Sequence, residues 1–153
     1  MIDRLKRLLA LALFCIAIAI GGTAPVRAQS EAEVNARLDG LFGDHRPYRT
    51  FFADLKTAIE AGNRQAIAAM VSYPLTVKIG GRELSLRSAS DLLARYDQVV
   101  TARVTAAVRK QTYGALFARD TGVMIGDGEL WFSGICSDNA CQRQTVKIIA
   151  VAP

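Results

Sequence analysis

Two thiols, one imidazole and a scatter of carboxylates and phenols are the side chains that could carry chemistry beyond the leader, and their spacing limits what that chemistry is. Cys136 and Cys141 flank Ser137, Asp138, Asn139 and Ala140. These four are rich in turn formers, so folding the adjoining β-rich runs back on one another sets the two sulfurs across a hairpin end, and a disulfide is expected. A ring this small is worth about 2 kcal/mol at most in the loop-entropy account, so the bond pins a strand register more than it holds a fold together. A redox-active pair normally has two intervening residues at a helix start, which this spacing does not offer. Zinc would need more ligands than the lone imidazole His45 and two thiols supply, so neither a metal nor a cofactor is expected. His45 stands in Asp44-His45-Arg46-Pro47 just before a strongly periodic helix and reads as a structural or exposed residue. No Gly-x-Ser-x-Gly nucleophile turn occurs, and Gly80-Gly81 lies between strand patterns with no helix after it, unlike a phosphate-cradling loop.

The elements that must position these residues follow from hydrophobic rhythm. Residues 29–46 read as a separate leading helix, with Val34, Leu38, Leu41 and Phe42 at helical spacing and Gly43-Asp44 as the stop; the sequence leaves open whether it docks on the domain. Pro47 suits a first helical turn, and Phe51, Phe52, Leu55, Ala58 and Ile59 form one apolar stripe backed by Asp54, Lys56 and Glu60. The pattern bends at Gly62-Asn63, resumes with Ala66, Ile67, Met70 and Val71, and stops at Pro74. From Leu75 the period changes to two: Leu75, Val77 and Ile79, then Gly80-Gly81, then Leu84 and Leu86, which predicts a half-buried hairpin. Ser88 and Asp91 resemble a capping box ahead of Leu92, Leu93, Tyr96, Val99 and Val100, and Val104, Ala107 and Val108 either continue that helix or begin a short one. Beyond Lys110 come β-rich runs at residues 115–118, 123–125, 129–135 and 142–151, read as a three-stranded meander. The fold class predicted is α+β, with N-terminal helices packed on a mainly antiparallel sheet.

Residues 1–28 read as an export signal: Arg4, Lys6 and Arg7 head an apolar run of 13 residues at positions 8–20, and Val26-Arg27-Ala28 offers a peptidase site after Ala28. The run falls short of the ~20 apolar residues of a membrane span. Cys15 follows Leu13-Phe14 inside it, unlike an acylated cysteine, and leaves with the leader. The expected location is the periplasm or the exterior, an oxidising setting that suits the cysteine pair, with no membrane association after cleavage. The remaining 125 residues, read as a single domain over 47–153 behind the leading helix, carry 15 basic and 13 acidic side chains. A net charge of +2 without a basic cluster removes the main support for a nucleic-acid partner.

The order of elements, with Tyr73-Pro74-Leu75 leading into a hairpin, Tyr96-Asp97 on a helix and Gly128-Glu129-Leu130-Trp131-Phe132 in the meander, resembles the nuclear-transport-factor-two-like superfamily over about residues 47–151. It also resembles uncharacterised exported bacterial proteins of that type. The resemblance implies a bent sheet wrapped into a cone around helices, with a cavity that serves isomerases, cyclases, immunity proteins and inert binding modules alike. Chemistry in such a cavity would fall to Asp97, Asp120 or Asp127 as base and to Tyr73, Tyr96 or Tyr113 as oxyanion donor, but none of these matches the isomerase motif. Asp120 and Asp127 sit beside glycines as turn residues, and Asp97 should point about 100° away from Tyr96. Of Trp131 and Phe132 one should enter the core and the other face outward. Amphipathic aromatics make Tyr73, Tyr96 and Trp131 the ligand-binding candidates. The preferred expectation is a noncatalytic exported binding or interaction module for a small apolar ligand or an envelope protein, with a homodimer left open. The alternative is a cavity enzyme of isomerase, cyclase or hydratase type acting on an apolar metabolite.

Overall fold

A computed structural model describes residues 30–138, 140, 141 and 143–153, so the export signal lies outside the described residues. Helix α1 (Glu31–Phe42) starts on a reciprocal cap: Ser30 Oγ accepts from the Glu33 amide, and the Glu33 carboxylate accepts from the Ser30 amide at 2.8 Å. Gly43 closes it at φ 85°, a left-handed conformation favoured by glycine. Val34 and Leu38 are fully buried, so this helix docks on the domain as part of its core. It packs on a short 3-10 turn (Tyr113–Ala115) and on β3 (Phe117–Arg119). The Tyr113 hydroxyl donates to Asn35 Oδ1 at 2.7 Å, and Arg49 ties Glu31 at 2.6 Å while lying over the Tyr113 ring.

Helix α2 (Arg46–Glu60) carries Pro47 in its first turn and buries Tyr48, Phe51, Phe52, Leu55, Ala58 and Ile59 as a single stripe. Helix α3 (Arg64–Ala69) is capped by Asn63, whose Oδ1 accepts from the Ala66 amide. Strands β1 (Leu75–Ile79) and β2 (Arg82–Leu86) pair antiparallel with Leu75 opposite Leu86, around Gly80 and Gly81 at φ 56° and 81°. Those two positive angles are what a two-residue hairpin turn of this hand requires. The hairpin is a two-stranded sheet of its own rather than part of one continuous sheet.

The helical pattern from Leu92 to Val108 divides into three pieces: α4 (Ala89–Ala94), α5 (Tyr96–Val99) and α6 (Ala102–Lys110). Arg95, at φ −127° and ψ 20°, breaks the first junction, and Thr101 starts α6 by accepting from the Val104 amide. At its far end the Lys56 ammonium of α2 donates to the carbonyls of Arg109 and Gln111, both at 2.8 Å. That cation completes acceptors a helix end leaves open.

The second sheet is antiparallel in the order β3, β4 (Gly122–Ile125), β5 (Leu130–Cys136), β6 (Gln144–Val151). It has four strands where three were expected: residues 113–115 turn as a 3-10 helix, and pairing begins two residues later, at Phe117. Gly122 permits the close β4–β5 approach, since a Cβ there would lie 2.8 Å from the Phe132 carbonyl oxygen. Along its free edge β6 takes a parallel bridge from Val71, with Ser72 N–H donating to the Ile148 carbonyl and Ile148 N–H to that of Met70. A Cys136–Cys141 disulfide sits at the end of β5 with Cα atoms 4.8 Å apart. Cys136 pairs across the strands with Gln144, so the bond closes the connecting loop on itself rather than linking two opposed strand residues.

Helices and sheets meet in an apolar core where Phe51 lies 5.1 Å from Phe132 and Phe42 stacks on Tyr48 at 4.6 Å. The Tyr48 hydroxyl, inside this core, accepts from the Gly134 amide, and burial pushes its pKa up. Among the described residues no charged or non-aromatic polar residue is buried.

Candidate functional site

The three aromatic residues singled out from the sequence sit in three different settings. Tyr73 is half-buried against the core, and its hydroxyl donates to the Ala68 carbonyl at 2.8 Å. Trp131 lies on the outer face of the four-stranded sheet, edge-on to Phe117 and paired across the strands with Met124. Its neighbour Phe132 is fully buried on the other face, the division expected of adjacent strand residues. Tyr96 alone lines a sizeable hollow.

That hollow, about 780 Å³ and open to solvent, lies among α2, α3, α5 and α6. Ile59, Val100, Ala102 and Ala106 give it apolar walls, and Arg64, Asp97, Arg109 and Lys110 supply its charges. Arg64, the first residue of α3, grips both oxygens of Asp97, at 3.0 and 2.8 Å, while its guanidinium lies 4.6 Å from the centre of the Tyr96 ring. Each contact alone is small, since an exposed ion pair and an exposed cation–π contact are worth about 1 kcal/mol or less each. Together they hold the Arg64 head in one place. Tyr96 and Asp97, expected to diverge, therefore line the same hollow, bridged by an arginine from a distant segment.

Tyr96 is 8 % exposed, yet its hydroxyl has no hydrogen-bond partner among the described residues, whereas Tyr48, Tyr73 and Tyr113 all use theirs. Burial raises its pKa, the Arg64 charge opposes the rise and Asp97 adds to it. At neutral pH the group is a protonated hydroxyl able to donate or accept. Arg109 and Lys110 reach the hollow from the last turn of α6 and have no carboxylate partner among the described residues. The adjacency of these two basic residues is the one signal of the hollow that the sequence offers. Nothing local marks Arg64.

The other chemical candidates are accounted for by their neighbours. Asp120 contacts Arg119, and Asp127 is an exposed turn residue whose amide donates to Glu129 Oε2 at 2.6 Å. Glu129, 14 % exposed and 3.8 Å from Arg103, stiffens that turn. Asp39, Asp44 and His45 bring ligand atoms within 4.8 Å of one another, the one such grouping among the described residues. Each carboxylate there already holds a partner: Asp39 takes the His45 ring at 2.8 Å and Asp44 takes the Arg46 guanidinium at 2.7 Å. Hydrogen bonds from His45 lower the Asp39 pKa, and those from Arg46 hold Asp44 down to about 2. These contacts fasten the α1–α2 connection. Among the described residues no helix is long and apolar enough to cross a membrane. Comparison of the chain with protein-family models, curated proteins and solved structures finds no match.

Proposed function

We propose that this chain is an exported, noncatalytic binding domain that seats a ligand in the hollow beside Tyr96. The observation that carries the reading is the contrast between interior and surface. The described interior is filled by apolar side chains, while a nine-tenths buried phenol with an unspent hydroxyl opens on a charged, apolar-walled recess. The recess falls in the size range of small-molecule sites. A cavity enzyme of the isomerase type would call for a carboxylate driven to high pKa beside an oxyanion donor. The resolved carboxylate shifts here, at Asp39 and Asp44, run downward, and Asp97 is 77 % exposed and clasped by Arg64.

The nuclear-transport-factor-two-like cone and the periplasmic location belong to the same proposal. The register shift opposite Trp131 and Phe132, where Ile149 is the extra residue on β6, supports a bent sheet, because an inserted residue bends and twists its strand. The disulfide supports an oxidising compartment. The test fills the recess. Ala106 is exposed on its wall, so Ala106→Trp should keep the native melting temperature but abolish the stabilisation that a panel of apolar metabolites gives the native protein. A ligand at about ten times its Kd adds roughly 1.4 kcal/mol, a few degrees of melting temperature. Stabilisation that survives in Ala106→Trp, or conversion of any panel compound to product, would sink the proposal.

A further inference from the structure

The charges around the hollow say what kind of ligand it takes, and this step rests on the binding role just proposed. Three cationic heads line it against a single carboxylate, and that carboxylate, Asp97, is spent on Arg64. Basic residues in the last turn of a helix ordinarily complement its dipole. At the end of α6 Lys56 already reaches across from α2 and occupies the carbonyls of Arg109 and Gln111. Arg109 and Lys110, which have no carboxylate partner among the described residues, add positive charge on the rim of a recess walled by Ile59, Tyr96, Val100 and Ala106.

From this arrangement we infer that the hollow binds an apolar carboxylate: a monoanion whose ring or branched chain covers Tyr96 and Val100 while its carboxylate meets Arg109 and Lys110. The Tyr96 hydroxyl supplies the remaining polar contact, a donor to a carboxylate oxygen. Arg64, held by Asp97 against the Tyr96 ring, fixes the opposite wall and leaves the anion to the α6 side. A neutral apolar molecule would fill the same walls but leave the two cations unanswered. A small inorganic anion would meet the cations but bury no apolar surface.

Three probes separate these possibilities in amide NMR titrations of the protein with its disulfide intact: 2-naphthoate, the neutral 2-naphthol and inorganic phosphate. Naphthoate should bind saturably and shift residues of α5 and α6, with naphthol weaker by about tenfold or more, the worth of a charge-assisted hydrogen bond. Phosphate should shift nothing saturably. Raising salt from about 0.1 M to about 1 M, which shortens the screening length from about 10 Å to about 3 Å, should weaken naphthoate and spare naphthol. Arg109→Ala with Lys110→Ala should erase the preference while leaving naphthol binding intact, a readout that also shows the variant is folded. Tyr96→Phe should weaken naphthoate more than naphthol. Equal affinity for naphthoate and naphthol overturns the carboxylate assignment but leaves the binding role standing. Absence of saturable binding by either probe, or shifts confined to residues away from the hollow, overturns both.

Discussion

The leading helix supplies the sharpest test of how this chain is held together. Leu38 and Leu41 lie one turn apart on α1, yet Leu38 is fully buried and Leu41 is 39 % exposed. Replacing either with alanine changes helix propensity alike, so the difference between the two variants reports burial alone. A leucine removed from a packed site costs the transfer of its lost methyl and methylene groups plus the cavity left behind, about 3 kcal/mol within an observed spread of about 2 to 5. With roughly 120 ordered residues the melting entropy is about 0.25 kcal/mol/K, so Leu38→Ala should melt about 12 °C below the native protein. Leu41→Ala should fall within about 0.5 kcal/mol of native, a shift of no more than about 2 °C. Thermal melts followed by circular dichroism, with guanidinium titrations to check that the slope is unchanged, measure both. Equal melting temperatures for the two variants would refute the reasoning, because α1 would then lie outside the cooperative unit however buried Leu38 is.

Two further outcomes are expected. The Asp44 carboxyl should titrate near pH 2, held below its ordinary 3.8 by the Arg46 side chain and amide; the stabilisation it gives is complete above pH 3.8 and is lost as pH falls toward 2. Carbon-detected NMR should find Arg46→Gln moving that midpoint upward, and an unmoved midpoint would mean Arg46 is not its cause. Replacing Cys136 and Cys141 with serine should cost at most about 2 kcal/mol and raise amide exchange chiefly around the β5–β6 end; global unfolding on that change would show the loop closure to be essential to the fold.

The architecture was legible wherever a single element carried its own periodicity. The α2 stripe, the β1–β2 hairpin with its paired glycines and the division of Trp131 from Phe132 each depend on local spacing, and each stands in the structure as that spacing predicts. The legible features stop where the outcome depends on distant partners. Val34 and Leu38 give α1 an apolar face, but the surface that accepts it comes from the 3-10 turn and β3, some eighty residues later. The β-rich run at 115–118 is visible but is not counted as a fourth strand, because three residues of Phe117–Arg119 are too few to show alternation. The splitting of the sheet in two is likewise a matter of packing, since a hairpin pattern says which strands pair with each other and nothing about which sheet they join.

The candidate site shows the same boundary from the other side. Helical spacing turns Asp97 away from Tyr96 by about 100° along a continuous helix, and on that ground alone the two belong to different surfaces. The divergence does not keep them apart, because Arg64, reaching from α3, stacks on the Tyr96 ring while clasping Asp97, and both residues line the one recess. The cations opposite lie beside a second distant contact. Lys56 takes the carbonyls of Arg109 and Gln111 at the end of α6, the helix whose last turn brings Arg109 and Lys110 to the recess. Each of these residues looks ordinary in sequence: an arginine after a turn, a lysine on a polar helix face, a basic pair in a last turn. A charged recess arises only when three helices place them around one phenol. The perturbations that test the site therefore act on the cations, whose removal leaves the apolar walls, and the fold they belong to, in place.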